Sequence, residues 1–565
     1  MIVITDKKNC CGCGACAQVC PVRCITMKAD DEGFLYPSTD EALCINCGAC
    51  ERACPVIRAE DPLKDKQENG EPVFPKAVGG RIRDEQVRYD SSSGGAFSLF
   101  ALRILKQGGI VYGAAMDDGL TVRHIGIGSP EELGQLRGSK YVQSIIGNTF
   151  SEIKTHLKNG RVVLFSGTPC QAAGLCSFLD GEKFENLYIL DCACHGVPSP
   201  LVFSRYIQYI SEKYHEPVKT VRFRMKDKGW NPSGTQLGPG TGFVTESGNM
   251  IRHCPGLKDP YMNGYLDDAY LRPSCYACPF RTLPRTFSDI TIADFWGVGR
   301  SYPELHDGKG TSLVLLNSGH GEDLFESVKE DFHFREVDFK KAARRNPGLT
   351  KSPDLSSRRQ KFFEDFREKP FEYVLKKYMS PWTWGWHRAC GIAWGMIESL
   401  IRAVLTPVLS VLHMKWDEGK WQAFFQFVRF AMVGVSNVLV SYTVNVCTLL
   451  LIRAVRSDLS FDYVIANAMA FLVSVFWSWS WNSRKVFKAE LSTPREKLRS
   501  LLRTYASYAF TGLILNNLLS TFWIRVVGVS KFLSPLLNIP ISMPINFFII
   551  KKWAYGKKKA GKTDR

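Results

Sequence analysis

Hydrophobic and polar positions divide the chain by their rhythm. From about residue 76 to 370, short apolar runs alternate with amphipathic stretches. GIVYGAA at 109–115, RVVLFSG at 161–167 and NLYILDC at 186–192 lie among helical patterns at Ala96–Lys106, Ser151–Lys158 and Pro200–Tyr214. Strand-length runs separated by helix-length segments predict an α/β domain over 76–370 with a largely parallel sheet. Beyond residue 425 the alternation gives way to long apolar runs. Phe430–Ile452, Tyr463–Trp481, Tyr505–Ile524 and Phe532–Ile550 carry no charged side chain and are about long enough to cross a bilayer. They predict an all-α, four-helix transmembrane domain over 425–556. Two stretches follow neither rhythm. Residues 58–80 are charged and bear Pro and Gly, as a linker or surface strap does. Residues 380–416 are apolar but place Glu398 and Arg402 mid-run, and Trp382, Trp384, Trp386 and Trp394 precede the pair. Burying that charge pair in lipid is costly, so this segment is expected to lie at the headgroup level rather than span.

Composition changes the picture at two points. A chain of 565 residues with a formal charge of +17 could suggest a nucleic-acid partner. The basic excess, however, gathers beyond residue 414 beside the apolar runs, where a membrane surface accounts for it. Arg484–Arg503 and the stretch after Ile550 are rich in Lys and Arg while the other connections are not, which predicts that both ends and the central connection face the cytoplasm. An even number of spans then keeps the cysteine-rich half in a reducing compartment.

That half carries the chemistry. The run C-x2-C-x2-C-x3-C-P occurs at Cys10, Cys13, Cys16, Cys20 and Pro21, and again at Cys44, Cys47, Cys50, Cys54 and Pro55. In two-cluster ferredoxins the fourth Cys of each run ligates the other cluster. The expected sets are therefore Cys10, Cys13, Cys16 and Cys54 for one [4Fe-4S] cluster, and Cys44, Cys47, Cys50 and Cys20 for its partner. Zinc motifs do not need two triplets each followed by a distant Cys-Pro, and disulfides need an oxidising compartment. Residues 1–60 resemble an α+β two-cluster ferredoxin domain of bacterial type, with Cys11 and Cys24 as spare thiols.

Four further cysteines stand at informative places. Cys170 and Cys194 each follow a predicted strand, and Cys275 and Cys278 form a C-x2-C pair. Together they could hold a third [4Fe-4S] cluster, or zinc; otherwise Cys170 and Cys194 are buried apolar thiols and the pair binds zinc or nothing. Cys176, Cys192 and Cys254 are possible substitutes. SSSGGAFS at Ser91–Ser98 precedes a predicted helix, where a phosphate is electrostatically welcome and where an ordinary cap uses the same residues. His195, beside Cys194, is placed as a proton donor would be but reads rather as a turn residue, and Asp294 and Trp296 either shape the same site or form a turn and its packing.

The ordered set SSSGGAF, GAAMDD, LRGSKYVQS, FSGTPCQAAGL, CHGVPSP, C-x2-C, ITIADFWG and DGKGTSLVLLN makes residues 76–370 resemble the coenzyme F420 hydrogenase/dehydrogenase beta-subunit family. The resemblance implies an FAD-dependent electron-transfer module. It places the flavin among Ser93, Gly94, Gly95, Arg137, Ser139, Lys140, Tyr141 and Gln143, with Thr168 nearby. FQFVRFAMVGVSN, WSWSWNSRKVF and NFFIIKKWAY resemble the GtrA-like family, which implies an association with polyprenyl-phosphate-linked sugars and cell-surface polysaccharide synthesis. The expected protein is a membrane-tethered iron–sulfur flavoprotein oxidoreductase. Its expected partners are an electron carrier, either ferredoxin or a deazaflavin coenzyme, and membrane lipid or a polyprenyl-phosphate sugar. Two alternatives remain open: a polyprenyl-phosphate-sugar translocation or binding protein with a redox regulatory half, and a quinone-reducing respiratory protein. Nothing in the sequence names a catalytic acid.

Overall fold

A computed structural model describes residues 1–59, 75–227, 229–230, 240–253, 259–281, 283, 285–356, 358–380, 398, 400–407, 409, 416, 418–455, 462–487, 494–529 and 534–555. Most of the strap at 58–80, Cys254 and Trp382, Trp384, Trp386 and Trp394 of the expected interfacial segment lie outside these residues. The chain forms two units, Met1–Ala389 and Cys390–Arg565.

The cysteine runs fold around an antiparallel hairpin of β1 (Ile25–Ala29) and β2 (Leu35–Thr39). So short a segment cannot enclose a core by itself. Ile2, Cys13, Cys16 and Val56 share one core with Phe150, Ala172 and Leu175 of the following region. A Cβ on Gly174 would meet the Cys13 Cβ at 2.9 Å, so the helix Pro169–Leu179 presses its backbone against the first cysteine run.

Beyond it the strands are β3 (Lys76–Ile82), β4 (Ile110–Met116), β5 (Val122–Ile127), β6 (Val163–Gly167), β7 (Leu187–Cys192), β8 (Val218–Met225), β9 (Gly240–Thr245), β10 (Met250–His253), β11 (Ile290–Asp294), β12 (Ser312–Leu316) and β13 (Phe332–Glu336). Eight of them form one sheet in the order β13-β3-β12-β11-β7-β6-β4-β5. The expectation of a largely parallel sheet needs correction. Only β4–β6, β6–β7 and β7–β11 pair in parallel, while β4–β5, β11–β12, β12–β3 and β13–β3 are antiparallel. The connection from β4 to β5 spans only residues 117–121, too short for a crossover, and so it must close a hairpin. β8, β9 and β10 make a separate antiparallel sheet.

The helix Ala96–Lys106 buries Leu99, Phe100 and Ile104 against the sheet core, which includes Val78, Val111, Leu164 and Val314. The serine–glycine loop before it is held from behind. Arg88, almost fully buried, grips both Asp307 carboxylate oxygens at 2.7 and 2.6 Å, and the Lys226 ammonium donates to the Ser93 carbonyl at 2.9 Å.

The second unit is helical: Glu418–Val455, Asp462–Trp481, Pro494–Ala509 running on to Asn516–Arg525 through a π-helical stretch, and Ser534–Ile549. Among the described residues one helix, Ala423–Val455, is long and apolar enough to cross a membrane, and Ile465–Trp481 is apolar but shorter. Asn445 donates to the Asn467 amide oxygen at 2.7 Å, a helix-to-helix bond of the kind expected for amides in such a bundle. Glu398 pairs with Arg429 at 2.7 Å, and Arg402 lies over the Trp421 ring, so Glu398 and Arg402 find separate partners.

Candidate metal centres and cofactor cavity

Two enclosed spaces lie inside the cysteine segment. One is bordered by Cys10, Cys13, Cys16 and Cys54 together with Cys11, and the other by Cys20, Cys44, Cys47 and Cys50 together with Cys24. The fourth Cys of each run thus sits with the other run's triplet. Cys11 and Cys24 have contacts too: the Cys24 Sγ lies 3.4 Å from that of Cys20, and the Cys11 thiol is within hydrogen-bonding reach of both Cys13 and Cys170. Among the described residues no three such side chains close on one point, so the thiols border spaces rather than a single-ion site.

The chemistry of the donor set says what such spaces suit. Burial and the neighbouring thiolates push the Cys16 thiol up to about 12. Thiols held this way ionise together only if positive charge joins them, as iron does. The two sets differ in exposure: Cys13, Cys16 and Cys54 are buried, whereas Cys47 is exposed at the surface.

A third thiol group forms where β6 and β7 end. These strands run side by side in parallel, so Cys170, at the start of the helix after β6, and Cys194, just past β7, emerge at the same sheet edge. The segment carrying Cys275 and Cys278 is laid alongside by the Pro198–Leu271 bridge, and the Val197 N–H donates to the Cys275 Sγ at 3.4 Å. Burial, with the charges of Cys170 and Cys278, raises Cys194 to about 12, though Arg281 opposes it; Cys275 is raised by burial and by Cys194, Cys170 and Cys278. Cys192 belongs to the same neighbourhood, whereas Cys176 is spent on the Phe287 carbonyl at 3.5 Å.

Next to this group opens a cavity of about 320 Å³. Of the residues expected to hold a flavin, Ser93, Gly95, Arg137, Ser139, Lys140, Tyr141 and Thr168 line it. Gly94 does not. It packs behind the loop, where a Cβ would meet the Ser312 backbone nitrogen at 2.5 Å. Gln143 does not line it either: it turns to the cysteine segment, donating to the Cys11 carbonyl at 3.1 Å and accepting from Arg272 at 3.0 Å. The Lys140 ammonium is drawn away from the cavity by three carbonyls, those of Gln135, Leu136 and Arg137. Thr168 caps the Pro169–Leu179 helix together with Gln171.

The cavity also exposes Arg224, His195 and His124, of which only His195 stood out in the sequence. Arg224 stands at φ 61°, a strained setting for a side-chain-bearing residue; it binds Asp294 and the Tyr141 hydroxyl, each at 3.0 Å. His195, read as a turn residue, lines the cavity with its Nε2 2.7 Å from the Asp268 carboxylate. His124 also lines the wall. Its Nε2 lies 3.1 Å from the Ser166 carbonyl, which only accepts, so this nitrogen carries the hydrogen and Nδ1 keeps a lone pair with no partner in the protein. Burial lowers its pKa to about 4.

Because the unfolded chain takes up a proton at His124 near pH 6.5 and the folded chain refuses it until about 4, stability is fully present above that window and declines as pH falls through it. We expect the fall to amount to about 2–3 kcal/mol. Melting of the full chain between these pH values should show a shallower decline for His124→Gln; equal slopes would contradict the neutral assignment.

Three family models match the chain in order. They are a 4Fe-4S dicluster domain at residues 9–57, the C terminus of the coenzyme F420 hydrogenase/dehydrogenase beta subunit at 160–341, and the GtrA/DPMS transmembrane domain at 429–555. Together they support an oxidoreductase with iron–sulfur clusters and a GtrA-like membrane domain. The chain is also similar to a chain in a xenon-derivatised structure of the F420-reducing [NiFe] hydrogenase complex from Methanosarcina barkeri, at 16% identity and a TM-score of 0.34, over 52% of this chain and 92% of that one. No curated protein matches it.

Three features of the cavity suit a phosphate-bearing small molecule. Its volume falls within the range of small-molecule sites. Ser93 and Gly95 stand at the amino terminus of an 11-residue helix, where backbone N–H groups favour phosphate. The lone pair of His124 offers a buried acceptor.

Proposed function

We propose that this chain is a membrane-tethered oxidoreductase that uses FAD and three [4Fe-4S] clusters to pass electrons between a reduced carrier and a substrate at the cytoplasmic face. The observation that carries the reading is the continuity of the thiol groups with the cavity. Cys47 is exposed, the inner set abuts the helix bearing Cys170 through Gly174, Cys11 reaches the Cys170 thiol, and Cys192 and Cys194 border the cavity itself. Clusters bound at the thiols would carry single electrons and a bound flavin would exchange two, which couples a one-electron carrier to two-electron chemistry.

The protein's own residues supply position and charge. Ser93, Gly95 and Arg137 bind the phosphate end of the cofactor, and His124 stays neutral and accepts a hydrogen bond. The Arg224–Asp294 pair fixes Tyr141 on the wall. Trp230 and Trp296, with ring centroids 4.5 Å apart, flank Arg224, whose guanidinium lies 5.5 and 6.0 Å from the two rings. The GtrA-like domain favours a substrate connected with lipid-linked sugars; a ferredoxin would deliver single electrons where Cys47 meets solvent, whereas a deazaflavin, a hydride donor, would deliver its electron pair at the flavin. The test uses anaerobically purified full-length protein in lipid nanodiscs. Reduced ferredoxin or reduced deazaflavin should bleach its flavin absorbance, and deleting the gene should alter the lipid-linked sugar profile. Flavin that stays oxidised with both carriers contradicts the electron route, and an unchanged profile contradicts the substrate class.

A further inference from the structure

We propose that Arg272 sets the reduction potential of the centre held by Cys10, Cys13, Cys16 and Cys54, making it easier to reduce than the centre held by Cys20, Cys44, Cys47 and Cys50. The inference rests on the reading of these thiols as cluster ligands and concerns what the neighbouring domain does to one of the two centres.

Arg272 belongs to the segment that ends in Cys275 and Cys278, yet its side chain crosses into the ferredoxin segment. It has no exposed surface. Nε donates to the Cys10 carbonyl at 2.8 Å, Nη2 to the Leu35 carbonyl at 2.9 Å, and Nη2 also reaches the Cys10 Sγ at 3.6 Å. Nη1 donates to the Gln143 amide oxygen at 3.0 Å, and the guanidinium stacks 4.3 Å from the Tyr36 ring centroid. Among the described residues none of its hydrogen-bond acceptors is a carboxylate. Asp30 and Glu32, whose charges act on the nearby Tyr36, pair instead with Lys7 and Arg359. Room for the guanidinium comes from Gly12, in the Cys10–Cys13 loop at φ 73°: a Cβ there would lie 2.7 Å from Arg272 Nη1.

A buried cation whose other partners are neutral is thus placed on one ligand sulfur. One-electron reduction adds one negative charge to what those four thiolates hold. A guanidinium in a low-dielectric site stabilises that added charge, and hydrogen bonds to ligand sulfur act in the same direction. The outer set's nearest cations among the described residues are weaker counterparts: the Met1 ammonium, whose charge acts on Cys44 and Cys50, is already paired with the Glu51 carboxylate at 3.1 Å. Arg52 approaches the outer set through the Cys47 carbonyl at 3.1 Å, but this side chain is exposed, where solvent and salt screen its charge. An electron arriving at the outer set therefore moves inward, toward Cys11 and Cys170.

The experiment is an EPR-monitored redox titration of iron-replete full-length protein. In Arg272→Gln, which keeps donors but removes the charge, the midpoint of the Cys10, Cys13, Cys16 and Cys54 centre should shift to lower potential while that of the Cys20, Cys44, Cys47 and Cys50 centre stays; Cys170 also feels the Arg272 charge, so the comparison is between these two centres. Gln143→Glu should lower the same midpoint, because it sets a carboxylate against the guanidinium while keeping an acceptor in place to hold it. A purely structural role predicts no selective shift in the second variant. If Arg272→Gln fails to retain iron, Gln143→Glu decides alone. Unchanged midpoints in an iron-replete Gln143→Glu protein overturn the role of Arg272, whereas a wild type with no iron–sulfur EPR signal overturns the ligand reading beneath it.

Discussion

Arg285→Met is expected to destabilise the first unit by about 3–5 kcal/mol, the usual cost of removing one member of a buried ion pair. Arg285 and Asp191 are both fully buried and paired to each other. Asp191 lies on β7 immediately before Cys192. Burial already raises the Asp191 pKa, and Arg285, together with the Thr291 and Ser288 hydroxyls, opposes that rise. Without the guanidinium, either the strand carries an unpaired charge or the carboxyl must take up a proton. Exchanging both partners for apolar residues, Arg285→Met with Asp191→Leu, should recover much of the loss, because the desolvation cost disappears with the charges. Hydrogen exchange resolved over β7 and β11 reports this directly. Protection in the single variant equal to wild type would show that the pair contributes little.

The second large effect concerns metal content. Cys275→Ser should lower iron from about twelve to about eight atoms per chain, since one four-iron centre loses a thiolate. Flavin should be retained, because Cys275 does not border the cavity. Iron unchanged at about twelve would mean that Cys275 is no ligand or that Cys192, next to Cys194, takes the vacant place. The double variant Cys275→Ser/Cys192→Ser separates these, falling to about eight only in the latter case.

How much could be read from the sequence follows from how local each feature is. The two cysteine runs were legible because their ligands are fixed by short spacings, and the folded chain brings each triplet to the other run's fourth Cys. The serine–glycine loop was legible for the same reason, although Gly94 serves packing rather than the cavity. Features that depend on distant pairing were hidden. Gln143 sits in the RGSKYVQ segment and reads as a neighbour of Tyr141, yet its partner is a carbonyl 132 residues away. Arg272 reads as a flank of the C-x2-C pair, and its only signal is a single basic residue after the apolar AYL. β8 escaped notice because irregularities between Val218 and Thr220 and between Arg222 and Met225 break its alternation. The antiparallel half of the main sheet follows from the order in which strands meet, and β12, buried at every position, carries no alternation to indicate a face.

The central claim is that buried thiols and a glycine-lined cavity make one redox unit. Anaerobic purification followed by iron, sulfide and flavin quantification tests it most directly. The account predicts about twelve iron atoms, a matching amount of sulfide and one FAD per chain; a colourless protein with neither metal nor flavin would contradict it.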